Sequence, residues 1–208
     1  MAAGNLALVL HAHLPYVHSS EPGSLEEDWY FQALLECYLP LLEVLEQAAA
    51  DPAQQPRLSM GLSPTLLSLL SSAELSRRFG PWLVVRQELL QQAPTGHEAA
   101  VAALANQLAR ARSAWEACGG DLLPRFRRLQ EAGVLDLLTC AATHGYLPLL
   151  RDCPEAVRAQ LLTAVREHER LLGVRPQGIW LPECAYYEGL DRQLVSCGLR
   201  YAILDAHG

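Results

Sequence analysis

Residues 178–187, GIWLPECAYY, place an acid, Glu183, directly after a short apolar run and among aromatic rings. Trp180, Tyr186 and Tyr187 offer flat apolar faces on which a sugar ring can stack. A carboxylate among such rings can attack or protonate a glycosidic bond. A surface-loop or ion-paired glutamate is the structural alternative, because a buried Glu is costly unless it is paired. The residue types therefore indicate carbohydrate chemistry at Glu183, with a structural role as the alternative.

Three histidines follow two other apolar runs. His11 and His13 form an HxH pair, and in an extended backbone both imidazoles lie on one side of the chain. His144 stands between Thr143 and Gly145. Imidazoles in this arrangement suit a metal ion or a polar substrate equally well. A structural role is the alternative for each of them.

The elements that must position these residues are short apolar runs alternating with helical periods. The runs are continuous, as in strands that are covered on both faces. This β-α order predicts one domain in which a parallel sheet or barrel has its helices outside. Five strands are predicted, at residues 5–10, 57–64, 134–140, 178–181 and 200–206.

Three helices can be predicted in some detail. Pro40 should kink the first, or split it in two near Leu39, because proline lacks an N–H and crowds the preceding turn. A second helix ends at the glycine pair 119–120, and a third runs from Pro154 to Leu172. The predicted apolar stripes are Leu34, Cys37, Leu41, Val44 and Ala48 on the first helix, and Val101, Leu104, Leu108, Ala111 and Trp115 on the second.

Polar residues follow every predicted strand. In parallel folds, chemistry gathers where the carboxyl ends of the strands open into loops. We therefore expect one site at that edge of the sheet. Its candidate residues are His11 and His13 after the first strand, Ser63 after the second, Thr143 and His144 after the third, Glu183 after the fourth, and Asp205 with His207 after the last.

Composition excludes some classes of partner. The 208 residues are 50% hydrophobic and carry 16 Lys and Arg against 23 Asp and Glu, a formal net charge of −7. Such a chain can bury a large core. Because no basic run is present, we expect no nucleic-acid partner. The N-terminal apolar run is too short for a signal peptide or a membrane span, so neither export nor a membrane partner is predicted.

The cysteines indicate a compartment but no site. They form no CxxC pair that could hold zinc or act as a redox dithiol. We interpret them as reduced thiols in the cytoplasm, most of them in the core. They are Cys37, Cys118, Cys140, Cys153, Cys184 and Cys197.

Four segments together resemble glycoside hydrolase family 57. They are VLHAHLPYV near the N-terminus, MGLSPTL after the second strand, ATHGYLPLL after the third and GIWLPECAY after the fourth. The resemblance runs from about Leu6 to the end of the chain. The HAHLPY wording favours the family's α-1,4-glucan branching enzymes over its amylases.

The resemblance implies roles for individual residues. Glu183 would be the nucleophile of a retaining mechanism, and His11, His13 and His144 would line the subsite for the sugar at the cleavage point, with Trp180 beside them. The family barrel has seven β-α units and uses no catalytic metal. No cofactor is therefore expected, and the partner would be an α-glucan such as amylose or glycogen.

The family's second acid lies beyond the resemblance. Retaining glycosidases need two carboxyls about 5 Å apart, and the family's acid/base aspartate stands much further along the chain. Asp205 does not correspond to it. The resemblance thus implies that residues 1–208 are the N-terminal portion of an incomplete (β/α)7 barrel, without the remaining strands and the C-terminal helical domain, and inactive alone. Such a chain would be an experimental fragment, a truncated gene product or half of a split enzyme that pairs with the missing half.

Other functions remain open at this stage. Within the family, an α-amylase or a glucanotransferase is the alternative to a branching enzyme. Outside catalysis, the chain could be a glucan-binding or structural half-barrel. If the histidines hold a metal, the chain would instead be a metal-dependent hydrolase or deacetylase.

Overall fold

The computed structural model describes residues 4, 6–19, 22–51, 53 and 56–206. At its centre is a five-stranded sheet in the order β1-β2-β3-β4-β5, with every neighbouring pair parallel. The sheet curls into half a barrel with helices outside, which confirms the predicted fold class. The strands are β1 (Val9–Ala12), β2 (Leu58–Leu62), β3 (Leu135–Cys140), β4 (Gly178–Trp180) and β5 (Tyr201–Ile203).

All five strands were predicted, but the bounds of the first and last were wrong. Residues 6–8 precede β1 without belonging to it, and Asn5 lies outside the described residues. The strand instead continues through His11 to Ala12, so this histidine is part of β1. β5 is only three residues long and ends at Ile203.

Eight α-helices connect and cover the strands of the described chain. The prediction for α7 is confirmed, including its end at Gly173, whose φ of 80° allows the left-handed cap. The helices are α1 (Leu25–Ala33), α2 (Leu39–Ala50), α3 (Pro64–Leu70), α4 (Ala73–Leu90), α5 (Glu98–Ala117), α6 (Leu123–Glu131), α7 (Pro154–Leu172) and α8 (Leu190–Ser196).

The first predicted helix is divided where Pro40 requires it. A π-helical turn, Leu34–Tyr38, separates α1 from α2, and Pro40 occupies the first turn of α2, where no N–H is needed. The wider turn shifts the phase of the helix, so the predicted apolar stripe is partly wrong. Val44 is 60% exposed, whereas Leu42 and Leu45 are buried.

The buried hydrophobic residues form two clusters. The larger joins β1, β2 and β3 to helices α1–α6, and the smaller packs β4 against α7 and α8. On α5 the predicted face is correct for Leu108, Ala111 and Trp115, while Leu104 is half exposed.

Two expectations from composition can be compared with the structure. All six cysteines are free, but only Cys140 and Cys197 are buried, so the expectation that most lie in the core is wrong. In the part of the chain that the structure describes, no helix is both long and apolar enough to cross a membrane.

Candidate active site

Parallel pairing brings the carboxyl ends of the strands to one edge. His11 on β1 is in register with Gly61 on β2, and Cys140 on β3 is in register with Trp180 on β4. Each of these positions is at or near the last residue of its strand. The loops that follow therefore open side by side.

The four residues predicted to bind a ligand form one ring cluster. His11 stacks on Trp180 with centroids 4.6 Å apart and planes 7° from parallel. His13 and His144 have centroids 3.7 Å apart. The Nε2 atoms of His11 and His144 are hydrogen-bonded to each other at 3.2 Å. All four rings are partly exposed, so a ligand can reach them.

Gly61 leaves the space that His11 occupies. A Cβ at this position would lie 2.8 Å from His11 Nδ1 and 3.4 Å from Trp180 Cβ. Real Cβ atoms do not approach other atoms so closely. Because Gly61 on β2 has no side chain, His11 on β1 can stack on Trp180 on β4.

The imidazoles of His11 and His13 are uncharged at neutral pH. Burial, with a smaller contribution from the neighbouring His144, lowers the pKa of His11 to about 4. The same two causes lower the pKa of His13 to about 4. Neutral imidazoles are able to donate and accept hydrogen bonds, which suits an uncharged polyhydroxy ligand.

Two hydroxyls hold His13 from the side of β2. His13 Nδ1 lies 2.9 Å from Ser63 Oγ and 3.4 Å from Thr65 Oγ1. Ser63 is fully buried and also caps α3, accepting from the backbone N–H of Leu66 at 3.3 Å. Thr65 donates to the carbonyl of Leu14 at 2.7 Å. The loop after β1 is thereby attached to the start of α3.

A clamp from α7 holds the loop of His144. Gln160 Oε1 accepts from the backbone N–H of Thr143 at 2.9 Å, and its Nε2 donates to Thr143 Oγ1 at 2.8 Å. The carbonyl of Gln160 also accepts from the N–H of Ala142. His144 itself has a φ of 57°, the left-handed region that non-glycine residues seldom adopt. The contacts with Gln160 maintain this conformation, which turns the imidazole toward the cluster.

Glu183 stands on a second strained turn. Both Glu183 and Cys184 have a φ of 55°, in a short 3₁₀ turn that begins at Pro182 directly after β4. The carboxylate is exposed to solvent. Burial and, to a smaller extent, the charge of Glu183 raise the pKa of the Cys140 thiol to about 12. The sulfur of Cys140 is within 4.8 Å of ring nitrogens of His11 and His144, and Glu183 follows Trp180 of the ring cluster by three residues.

Other residues predicted at the strand ends lie less centrally. The backbone N–H of Asp205 donates to the carbonyl of Cys184 at 3.0 Å, so Asp205 borders the turn of Glu183. Tyr186 donates to Asp191 at 3.2 Å rather than facing the histidines. His207 lies outside the described residues.

The structure adds four residues that sequence reasoning did not place in the site. They are Gly61, Thr65, Cys140 and Gln160. The first two stand in MGLSPTL, a segment already singled out, so the signal for them was present. Cys140 ends a strand like the other candidates but was interpreted as a core thiol. Nothing in the sequence connects Gln160, in the middle of a helix, to the loop of His144.

Comparisons with known proteins point to a single family. The model of the family described as glycosyl hydrolase family 57 matches residues 7–208. A 1,4-alpha-glucan branching enzyme of Thermococcus kodakarensis is 33% identical over 222 residues, which cover 98% of this chain and 32% of the relative. The chain thus spans about a third of the length of this curated relative.

Solved structures give the same result. The alpha-amylase AmyC of Thermotoga maritima is 34% identical with a TM-score of 0.89, covering 97% of this chain and 39% of that one. The Thermococcus kodakaraensis branching enzyme, in complex with glucose and additives, is 33% identical with a TM-score of 0.87, covering 96% and 39%. These relatives resemble this chain throughout its length.

Proposed function

This chain belongs to glycosyl hydrolase family 57, and we propose that it carries the nucleophile and the sugar subsite of a 1,4-α-glucan branching enzyme. The observation that carries the proposal is the convergence of three histidines and Trp180 beside the Glu183 turn. It occurs in a chain that is one-third identical to a branching enzyme across 98% of its length. The substrate would be an α-glucan such as amylose or glycogen.

Glu183 is the proposed nucleophile of a retaining transfer. Its carboxylate would attack the anomeric carbon and form a glycosyl ester, while a second carboxyl protonates the leaving oxygen. A 6-hydroxyl of another glucan chain would then displace Glu183 and form the α-1,6 branch. The strained turn supports this role, because it fixes an exposed carboxylate at the rim of the ring cluster.

The ring cluster is the proposed subsite for the sugar at the point of cleavage. The exposed portion of Trp180 offers an apolar face, and the neutral imidazoles offer donors and acceptors for hydroxyl groups. Uncharged imidazoles at His11 and His13 suit a neutral glucan.

The partner carboxyl of the retaining pair is proposed to lie outside residues 1–208. Family resemblance places it on a later aspartate. In the described chain, no strand is paired with the outer edge of β1 or of β5, and such edges are sites of strand addition. We propose that the remaining strands of the barrel pair there and bring the acid.

A metal-dependent hydrolase fits this site less well. His11 Nε2 and His144 Nε2 have roughly the 3.3 Å separation that a tetrahedral zinc requires. Metal-bound histidines, however, donate from their other nitrogen, and His11 Nδ1 is buried with no partner among the described residues. We therefore propose that His11, His13 and His144 bind substrate and no metal.

Hydrolysis of α-glucan is the second candidate, favoured by the similarity to AmyC. Both activities share the glycosyl ester and differ in whether water or a sugar hydroxyl takes the glycosyl group. We also propose a role in glycogen metabolism, because the proposed substrate is an α-glucan. The six free cysteines support the proposal that the protein works in the cytoplasm.

The test uses the longer protein that we propose to carry this sequence, called the full-length protein below. It is incubated with amylose, after which α-1,6 linkages are counted by debranching and new reducing ends are measured in parallel. Branches without a matching rise in reducing ends support the proposal. Reducing ends alone would identify an amylase, and the absence of both would contradict the enzymatic role.

A further inference from the structure

We propose that Ser63 and Thr65 are positioning residues that fix His13 as the tautomer protonated on Nδ1, so that Nε2 accepts a hydrogen bond from a substrate hydroxyl. The tautomer follows from hydrogen bonds within this chain alone. The identity of the substrate, a glucan hydroxyl, rests on the proposed function.

The hydrogens of the two hydroxyls determine the direction of every contact. Thr65 Oγ1 lies 2.7 Å from the carbonyl oxygen of Leu14, which can only accept, so the single hydroxyl hydrogen of Thr65 is used there. Thr65 Oγ1 also lies 3.0 Å from Ser63 Oγ. Ser63 must therefore be the donor to Thr65. With its hydrogen used, Ser63 can only accept from His13, and His13 Nδ1 must carry the proton.

This arrangement satisfies both hydroxyls completely. Ser63 Oγ accepts from His13 Nδ1 and from the N–H of Leu66, and donates to Thr65. In the opposite arrangement, Ser63 donates to His13, and one of the two short oxygen contacts of Thr65 has no hydrogen between its atoms. Oxygen atoms only 2.7 or 3.0 Å apart leave no room for a water between them, so water cannot bridge that contact.

The other two histidines acquire a complementary pattern. His11 Nδ1 is buried and has no partner in the described chain. A buried N–H without an acceptor is rarer than an unpaired acceptor, so His11 carries its proton on Nε2 and donates to His144 Nε2. His144 is then protonated on Nδ1. The subsite thus offers one acceptor, His13 Nε2, and one donor, His144 Nδ1.

A pair of this kind favours hydroxyl groups over charged ligands. A sugar hydroxyl donates and accepts at once, so it can satisfy one nitrogen and pass the bond on to the next group. Losing the acceptor would remove one neutral hydrogen bond, which corresponds to about 3- to 10-fold in affinity.

The tautomer can be measured directly by long-range ¹H–¹⁵N correlation spectra of the chain with ¹⁵N-labelled histidine at pH 7. His13 is assigned from the signals missing in His13→Gln. We expect the wild type to be protonated on Nδ1. In Thr65→Val, which keeps the shape of the side chain, Ser63 loses its acceptor and donates to His13, so the proton should move to Nε2. A wild-type His13 protonated on Nε2, or a Thr65→Val spectrum without the change, would overturn the proposal.

Two further variants separate positioning from folding. Thr65→Ser keeps the hydroxyl and should restore the wild-type tautomer. Ser72 caps α4 as Ser63 caps α3, accepting from Leu75 at 3.3 Å, but belongs to no site. Ser72→Ala should therefore leave His13 unchanged, whereas Ser63→Ala should give a mixture of tautomers. Equal spectra for these two alanine variants would show that the hydroxyl of Ser63 does not determine the tautomer of His13.

Titration with maltose tests the sugar-binding half of the proposal. We expect the His13 Nε2 signal to shift in the wild type, and in the full-length protein we expect Thr65→Val to raise KM with little change in kcat. A correct tautomer whose signals do not respond to maltose would leave the positioning role standing and contradict the sugar-binding role of His13.

Discussion

Two groups of histidines in this chain have a pKa near 4, and they differ in what surrounds them. His11 and His13 stand at strand ends, partly exposed and hydrogen-bonded to other side chains. His168 lies near the C-terminal end of α7, fully buried, and neither of its ring nitrogens has a partner in the described chain. Burial alone lowers its pKa to about 4.

The difference separates polar groups placed for a ligand from a polar group that only costs stability. At the rim, burial is incomplete and each imidazole has partners that determine its orientation. In the core, the neutral His168 loses its hydrogen bonds to water and gains none. We therefore expect changes at the strand-end site of His11 and His13 to affect activity, and changes at His168 to affect stability.

Glu183→Gln should have the largest effect and would sharpen this division. An amide cannot form the glycosyl ester, so in the full-length protein transfer should fall by at least about 10³-fold. The side chain is exposed and keeps its shape, so urea unfolding should be unchanged. Glu188→Gln, another exposed acid nearby, is the control and should retain activity. Near-full turnover of Glu183→Gln would show that another group is the nucleophile.

Gly61→Ala tests whether the stacking of His11 on Trp180 depends on the space that Gly61 leaves. The added methyl would meet His11 Nδ1 at 2.8 Å, so His11 and the stacked Trp180 must move. A displacement of 1 Å at a reacting centre costs about 10²-fold, and we expect that loss in kcat/KM. Gly80 in α4 has nothing within 4 Å of an added Cβ, so Gly80→Ala should be fully active and slightly more stable. Equal activity of the two variants would contradict a role for Gly61.

His168→Leu should raise the stability of the chain. Removing two unpartnered polar atoms is worth about 1–3 kcal/mol at pH 7. The variant should also lose a dependence on pH. The pKa of His168 falls from 6.5 in the unfolded chain to about 4 in the folded one, so the unfolded state binds the extra proton and stability is lost as pH falls from 6.5 toward 4.

The measurement is urea unfolding of wild type and variant at pH 7 and pH 5. Wild type should lose about 2 kcal/mol more than the variant over that interval. His97→Leu, at an exposed position, is the control and should change neither value. A less stable His168→Leu would show that His168 has a partner and that the two histidine groups are alike.

Sequence patterns predicted which polar residues lie together because these residues follow strands. Continuous apolar runs predicted five strands, and polar residues after each of them predicted one edge. What escaped prediction depends on backbone geometry: the left-handed φ of His144, Glu183 and Cys184 has no residue signature, since glycine is absent from all three positions. The π-helical turn before Pro40 likewise shifted the buried face of α2 in a way that a regular helical period cannot express.

Side-chain contacts between distant elements were also not predicted from the sequence. Gln160→Ala tests the contact between Gln160 on α7 and Thr143, for which the sequence gives no signal. The variant removes both side-chain hydrogen bonds to Thr143 but keeps the backbone bond from the Gln160 carbonyl to Ala142, so the loop of His144 should loosen without detaching. We expect KM of the full-length protein to rise about 3- to 10-fold. We expect a smaller effect than that of Gly61→Ala, because His144 would only become more mobile, whereas the methyl of Gly61→Ala would occupy the place of the His11 ring.

Thr143→Val removes the Oγ1 bond alone and should give at most the same rise in KM, and the double variant should be no worse than Gln160→Ala. Thr163→Ala, exposed on the same helix, is the control. Additive losses in the double variant would mean that Gln160 and Thr143 act separately, and that the strain at His144 is maintained by some other contact.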